Sequence, residues 1–330
     1  MKDIESLLPV SGISKDFNDW GTVLLKGALT KDFISPLRDK IVSILIDKNI
    51  IDDSSRKWKA HNTYISETSE EYSDIYKEIF TLPELHHLKM SSVISKLGAD
   101  LLDSPVFVHP NITFRISCPV QEGRNFTTRS HQDFITIQGD RNTTTLWFPL
   151  FDTTIENGVL SVAKNSYKNG ILDLVFENCG TKLKDEDLLD WHAGNLRAGD
   201  IIAFNSLTAH RAMPNISNKV RVSIDLRLQK VKTPISESAV VPFPAFYKNW
   251  KDVFPCHKQR SEFLYSTDLV DIIPHSEEYD QARIGIVFSE AKKNNIDTLE
   301  YLRKISKYHS IPKIANEAKS LLDEIESKVL

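Results

Sequence analysis

Cysteine is scarce in this chain. Its 330 residues hold three, Cys118, Cys179 and Cys256, scattered, odd in number and without a CxxC pair. They build no disulfide framework, which fits a reducing compartment. No apolar run reaches the length that spans a bilayer. Met1 to Glu5 is polar and lacks the apolar stretch of a signal peptide. A cytoplasmic protein without membrane contact is therefore expected. Neither sign of charge dominates, with 41 Lys and Arg against 45 Asp and Glu, so general nucleic-acid binding is not expected. Internal repeats and low-complexity tracts are absent too. What is present is a 41% hydrophobic content, enough for a sizeable core in one domain or two small ones.

Residues 1 to about 100 read as mainly helical, with a short β-prone run at Thr22–Leu25. Thr30 is placed to cap a helix from Lys31, in which Phe33, Leu37, Ile41, Ile44 and Leu45 form one apolar face. Residues 52–70 are polar and aperiodic, and contain Trp58, His61 and Tyr64. They read as a long loop, of a kind that is often functional. Helical periodicity returns over Tyr72–Ala99, where Pro83 divides it into two helices. The adjacent His86 and His87 point in different directions on a helix and read as surface or boundary residues.

The texture changes near Leu101. Val106–Val108, Ile112–Ser117, Thr143–Leu150, Val159–Val162, Ile171–Val175, Ile201–Phe204 and Arg221–Leu228 are strand-like. Asn157-Gly158 marks a turn, and residues 180–198 read as a connecting loop. Many short strands over about residues 101–230 point to a β-sandwich or jelly roll, mainly β with flanking helices, and away from a parallel βαβ sheet. Residues 231–260 are irregular and aromatic, with Phe243, Phe246, Tyr247 and Trp250. They suit packing on the β core, or a substrate mouth. From about Ile296 helices resume, broken at Ser310-Ile311-Pro312. The stripe Ile314, Ala318, Leu321, Leu322, Ile325 and Val329 suits packing on the same chain or a homodimer contact, so a monomer and a homodimer both stay open.

The chemistry gathers at Arg129-Ser130-His131-Gln132-Asp133-Phe134 and Thr208-Ala209-His210-Arg211. Strand residues at i and i+2 share a face, so His131 and Asp133 would converge, and His210 from a later strand would complete a triangle. Two imidazoles and one carboxylate with open positions suit non-haem Fe(II), whereas zinc more often takes three or four protein ligands. Arg221 and Ser223 share a face on the next strand and form a grip for a carboxylate. The bland reading pairs Arg221 with an acid such as Asp200. Asp225 and Arg227 continue the alternation and read as structural, holding the sheet edge or one another. Arg115 points either into the β core or out of it.

His131-Gln132-Asp133, Glu156-Asn157-Gly158-Val159-Leu160, Gly199-Asp200, His210, Pro214-Asn215-Ile216-Ser217 and Arg221-Val222-Ser223 resemble the phytanoyl-CoA dioxygenase family. Asp19–Gly27 resembles the family's opening segment. Ser166–Gly170 resembles its Gly-Ser-His-Lys region, except that Asn165 stands at the Gly and Tyr167 at the His. The likeness covers roughly residues 17–230. It implies an oxygenase domain over residues 1–230, helical to about residue 100, with a double-stranded β-helix (jelly-roll, cupin-like) core over about 101–230; residues 231–330 lie beyond the likeness and are expected to pack on that core. It also implies an oxygenase using Fe(II), 2-oxoglutarate and O2 on a small-molecule substrate. His131, Asp133 and His210 would be the iron ligands, and Arg221 and Ser223 would hold the far carboxylate of 2-oxoglutarate. Thr143 and Thr145 would stand near the cosubstrate, and Arg115, Trp147, Trp191 and His192 near the substrate. The carboxylate of Asp133 favours hydroxylation over halogenation, because related halogenases lack it. The rival readings are a non-enzymatic β-sandwich, a cupin-like metal protein without 2-oxoglutarate, and an oxygenase acting on a macromolecule.

Overall fold

The computed structural model describes residues 1–52, 58–61, 65, 69–120, 127–177, 180–243, 247–309 and 311–329. Tyr64, Cys179, Phe246 and Ser310 lie outside the described residues, as does the side chain of Val329. The strands are β1 (Lys2–Asp3), β2 (Thr22–Leu25), β3 (Ile51–Asp52), β4 (Lys59–Ala60), β5 (Val106–Ser117), β6 (Thr144–Pro149), β7 (Leu160–Lys164), β8 (Leu174–Glu177), β9 (Gly180–Leu183), β10 (Asp190–Ala193), β11 (Ile201–Asn205), β12 (His210–Ala212), β13 (Arg221–Lys230), β14 (Pro234–Ser236) and β15 (Asp271–Ile273). The helices are α1 (Ile13–Trp20), α2 (Lys31–Asp47), α3 (Glu70–Phe80), α4 (Pro83–Lys89), α5 (Ser92–Leu102), α6 (Phe134–Ile137), α7 (Glu237–Val240), α8 (Trp250–Val253), α9 (His257–Phe263), α10 (Glu277–Ala291), α11 (Leu299–Tyr308) and α12 (Pro312–Val329).

Two sheets form the core, ordered β2-β11-β6-β13-β5 and β1-β10-β7-β12. This is the jelly-roll arrangement, with helices flanking the larger sheet. Strict alternation sorts each strand's side chains between two environments. On β13, Val222, Ile224, Leu226 and Leu228 join the cluster under α2–α5, together with Leu146, Phe148 and Ala203. Arg221, Ser223, Asp225 and Arg227 take the opposite face, toward the lumen between the sheets. Part of that lumen is apolar: Leu24, Trp147, Ile202 and Phe204 meet Val162 and Ala193. Two positive-φ glycines fix the turns. Gly158 (φ +78) would place a Cβ 2.6 Å from Met213 O, and Gly199 (φ +98) one 2.1 Å from Leu29 O, closer than any side chain tolerates.

Several expectations are corrected. Val106–Val108 and Ile112–Ser117 are one continuous strand, because β5 pairs with β13 almost throughout, with a register shift near Leu226. The Tyr72–Ala99 region holds three helices, since Ser91 caps a new start by accepting from Ile94 N. The loop assigned to residues 180–198 contains β9 and β10, and β10 sits inside the smaller sheet. Near the 52–70 stretch, Ile51–Asp52 and Lys59–Ala60 pair antiparallel as β3 and β4, and Trp58 lies against Phe151 at 5.1 Å between ring centroids. His86 is fully buried, and its Nε2 lies 2.7 Å from Phe80 O. Burial pushes its pKa down to about 3, so it is a neutral core imidazole. His87 alone is exposed, paired with Glu262.

Phe243, Tyr247 and Trp250 lie against the helical side of the core, around Tyr76 and Phe80, and away from the lumen. The α12 stripe Ile314, Ala318, Leu321, Leu322 and Ile325 is spent inside the chain, against Ile284, Phe288, Leu302 and Ile305. A contact between copies would have to use other residues. α10 had no counterpart in the sequence reading. No described helix is long and apolar enough to cross a membrane.

Candidate metal centre

His131, Asp133 and His210 are brought together, with one ligand atom from each within 4.8 Å of the others. The means differ from a shared strand face. His131 forms an isolated bridge to His210, with backbone hydrogen bonds of 3.0 Å in both directions. Asp133 then turns into helical backbone (φ −61, ψ −33) as the N-cap of α6. Its carboxylate makes no capping bond, so it is free to turn toward the two imidazoles. Both Nε2 atoms lie near Asp133 Oδ1, at 3.8 Å for His131 and 3.7 Å for His210. These are separations for atoms that share an ion, too long for hydrogen bonds.

The outward ring nitrogens are anchored. His131 Nδ1 lies 2.7 Å from Arg129 O and His210 Nδ1 3.0 Å from Thr208 O. A carbonyl only accepts, so each Nδ1 carries the hydrogen and each Nε2 presents a lone pair inward. Burial holds the imidazole of His131 down to about 3 and lowers that of His210, so both stay neutral as ligands must. Burial alone would raise the carboxyl of Asp133. The Arg227 guanidinium, with the hydrogen bond from Thr145, outweighs that and holds it well below the usual carboxylate range. The donor set, two neutral nitrogens and one carboxylate beside a cavity, fits Fe(II) with positions left for other ligands.

Asp133 is fixed from behind. Arg227 donates from Nε to Oδ2 and from Nη2 to Oδ1, each at 3.2 Å, and Thr145 Oγ1 donates to Oδ2 at 2.7 Å. Arg227 also donates to Thr113. The expectation that Arg227 holds a sheet edge or Asp225 is thus corrected: β13 is interior, between β5 and β6, and Arg227 braces the carboxylate. Its place in the inward run Arg221, Ser223, Asp225, Arg227 was the signal available in the sequence.

The other expected residues divide. Arg221 is buried, donates from Nη1 to Ser223 Oγ at 2.7 Å and lines the cavity with Arg115, Trp147 and Asp225. Arg115 therefore points inward, with Nε 3.8 Å from Asp225. Asp200, the acid weighed as a partner for Arg221, instead accepts from Gly27 N and Arg197 N. Thr143 is buried and does not line the cavity, and its hydroxyl has no partner among the described residues. Trp191 and His192 are not brought to the cavity, a correction that follows from their lying on β10. Trp191 donates to Glu186 O and lies under Arg211. His192 faces Ser6 through Nδ1 at 2.8 Å and Asp190 through Nε2 at 3.3 Å. Tyr167 packs on Gly21 and donates to Asn18 O. Asn165 takes the left-handed backbone (φ +66) that glycine favours. The departure in that motif therefore serves α1 packing.

Fold and donor set together define a jelly-roll non-haem iron oxygenase. The chain belongs to the phytanoyl-CoA dioxygenase (PhyH) family, whose profile matches residues 17–223. The epimerase SnoN from nogalamycin biosynthesis, solved in complex with Fe3+ and alpha ketoglutarate, is 17% identical, with a TM-score of 0.44 over 67% of this chain and 83% of that one. Among relatives, 1-deoxypentalenic acid 11-beta-hydroxylase of Streptomyces arenae is 24% identical, over 72% of this chain and 87% of that protein. A phytanoyl-CoA dioxygenase of Arabidopsis thaliana is 23% identical, over 64% and 86%. Among solved structures, the non-haem α-ketoglutarate-dependent carbocyclase SnoK from nogalamycin biosynthesis is 17% identical, with a TM-score of 0.48 over 71% of this chain and 88% of that one.

Proposed function

We propose that this dioxygenase hydroxylates, or otherwise oxidises, an unactivated carbon of a small metabolite in the cytoplasm, converting 2-oxoglutarate to succinate and CO2. The observation that carries the reading is the pair of inward Nε2 lone pairs converging with a braced carboxylate on a cavity that Arg221 also lines. In this reading His131, Asp133 and His210 hold iron. Arg221 and Ser223 grip the distal carboxylate of 2-oxoglutarate, a task suited to a buried guanidinium and a hydroxyl 2.7 Å apart. Bound iron supplies the oxidising chemistry. The chain's part is positioning: Arg227 and Thr145 keep Asp133 ionised and oriented, and Arg115 and Trp147 face the space where substrate would lie. Because the Asp133 position holds a carboxylate, no ligand place is freed there for a halide. The relatives named as hydroxylases support a hydroxylation.

The test is 2-oxoglutarate turnover by anaerobically Fe(II)-loaded protein, started with oxygen and followed as succinate against a metabolite library, beside Arg221→Ala. Substrate-stimulated succinate that falls in the variant supports the reading and names the substrate. Absence of both iron binding and succinate sinks it. Turnover indifferent to Arg221→Ala would favour a metal enzyme that does not use 2-oxoglutarate.

A further inference from the structure

Two cavities meet at one side chain. The cavity beside the metal-binding triad has a volume of about 20 Å³, room for about one water. A second, of about 350 Å³, shares Arg221 as a wall. Its rim carries Lys31, Arg38 and Lys219, and Trp58 and Phe151 line it. Its acid, Asp152, is occupied in accepting from Ala198 N at 2.9 Å. Arg38 is held by Asp39. The Lys31 and Lys219 side chains have no hydrogen-bond or ion-pair partner among the described residues. Arg221 itself is only 4% exposed, and its Nε is unpartnered among the described residues. A buried guanidinium without a bonded acid is costly, and becomes less so when an anion arrives. Trp58 is kept over the recess in left-handed backbone (φ +52), uncommon for an aromatic residue, by accepting from Val220 N at 3.1 Å and by its contact with Phe151.

We propose that this basic recess is the port through which small dicarboxylates reach and leave Arg221, 2-oxoglutarate inbound and succinate outbound. The inference rests on the reading of Arg221 as the cosubstrate's anchor. The triad cavity leaves room for about one water, whereas the recess has ample room for a dicarboxylate to approach Arg221. Cations around a concave rim concentrate a dianion there and speed its capture.

The test is stopped-flow binding of 2-oxoglutarate to the full-length, Fe(II)-loaded protein without oxygen, followed by the absorbance change on chelation, with succinate as competitor. Lys31→Glu/Lys219→Glu, a change of two exposed side chains, should slow association about tenfold at low ionic strength and remove most of its salt dependence. Ala198→Trp, a plug in the recess wall, should slow association and dissociation by the same factor and leave Kd unchanged. Arg221→Ala should weaken Kd itself. Association rates untouched by both recess changes, with Kd weakened in Arg221→Ala, would overturn the port and keep the anchor. An unchanged Kd in Arg221→Ala would overturn the anchor, and the port with it.

Discussion

Among the described residues, two clusters each join two histidines to one buried aspartate, and only one turns both imidazole lone pairs inward. In the first, His131 and His210 give their Nδ1 hydrogens to backbone carbonyls and aim bare Nε2 atoms at Asp133 from 3.8 and 3.7 Å. In the second, His275 and His309 direct Nε2 at Asp280 Oδ2 from 2.9 and 3.4 Å. His309 Nδ1 accepts from Ile311 N at 3.1 Å, so its hydrogen is on Nε2 and points at the carboxylate. His275 Nδ1 is taken by Ser236 and Ser238. A carboxylate that receives imidazole N–H groups closes a hydrogen-bonded lock and leaves no inward lone pair to share. What separates a metal site from a fastener is therefore the partner of the far ring nitrogen, which sets the tautomer.

The sharpest break of this comparison is loss of iron. Asp133→Ala or His210→Ala should weaken Fe(II) binding by more than the roughly 10–100-fold typical of losing an outer partner, and should end succinate formation. Asp280→Ala should leave iron stoichiometry intact. Metal analysis of the purified, reloaded variants reads both. Iron lost from the Asp280 variant would show that the clusters are not distinct in kind. A smaller effect is expected at Arg227. Arg227→Met removes both bonds to Asp133 and should weaken Fe(II) binding about 10–100-fold. Arg227→Lys should restore little, because an ammonium cannot span two carboxylate oxygens. Full recovery in the lysine variant would reduce Arg227 to a counter-charge.

At the second cluster the expected loss is stability. Burial would raise the Asp280 carboxyl, but hydrogen bonds from His275 and His309 hold it well below its usual range. A carboxyl whose folded pKa lies below its unfolded value of about 3.9 contributes stability that is present above that value. The contribution is lost as pH falls through the lower folded value. Asp280→Asn should therefore cost about 2 kcal/mol at neutral pH. The gap to wild type should narrow in denaturant titrations run below about pH 4. A gap that stays constant into strong acid would remove the charge from the explanation.

Local rules made the first cluster legible and hid the second. The alternation of Arg221 to Leu228 fixed which side chains face the lumen, and the His131-Gln132-Asp133 motif with a later His210 marked the triad. The strand argument for His131 and Asp133 nevertheless reached the right pairing by the wrong geometry. Asp133 starts α6, and a one-turn helix leaves no periodic signature. Arg227 was readable as inward, but its partner is 94 residues away, beyond any spacing rule. β10 escaped because Asp190-Trp191-His192-Ala193 is only four residues long, and its strand state comes from pairing with β7. α10 escaped because its buried residues, Ile284, Val287, Phe288 and Ala291, crowd into its second half. His275, Asp280 and His309 come from separate stretches that only tertiary packing unites.

The smallest effect tests whether the two clusters communicate. α6 begins at Asp133 and ends at Gln138, which has left-handed backbone (φ +52). Gln138 Oε1 accepts from Ser276 N at 2.7 Å, its Nε2 donates to Ser276 O at 2.9 Å, and Nε2 lies 3.1 Å from His275 Nε2. Phe134, next to Asp133, meets Tyr279 of α10 edge-on at 5.2 Å between centroids. The fastener thus grips the far end of the helix that starts beside the Asp133 carboxylate. Because Arg227 and Thr145 hold that carboxylate directly, Gln138→Ala should cost about 1 kcal/mol of stability and change Fe(II) affinity less than about threefold, well under the outer-partner range. Calorimetry and an Fe(II) titration on the same preparation separate the two quantities. A loss of iron affinity as large as that of the Arg227 variant would mean that Asp133 is aimed through α6 by the C-terminal helices, and that the fastener belongs to the metal site after all.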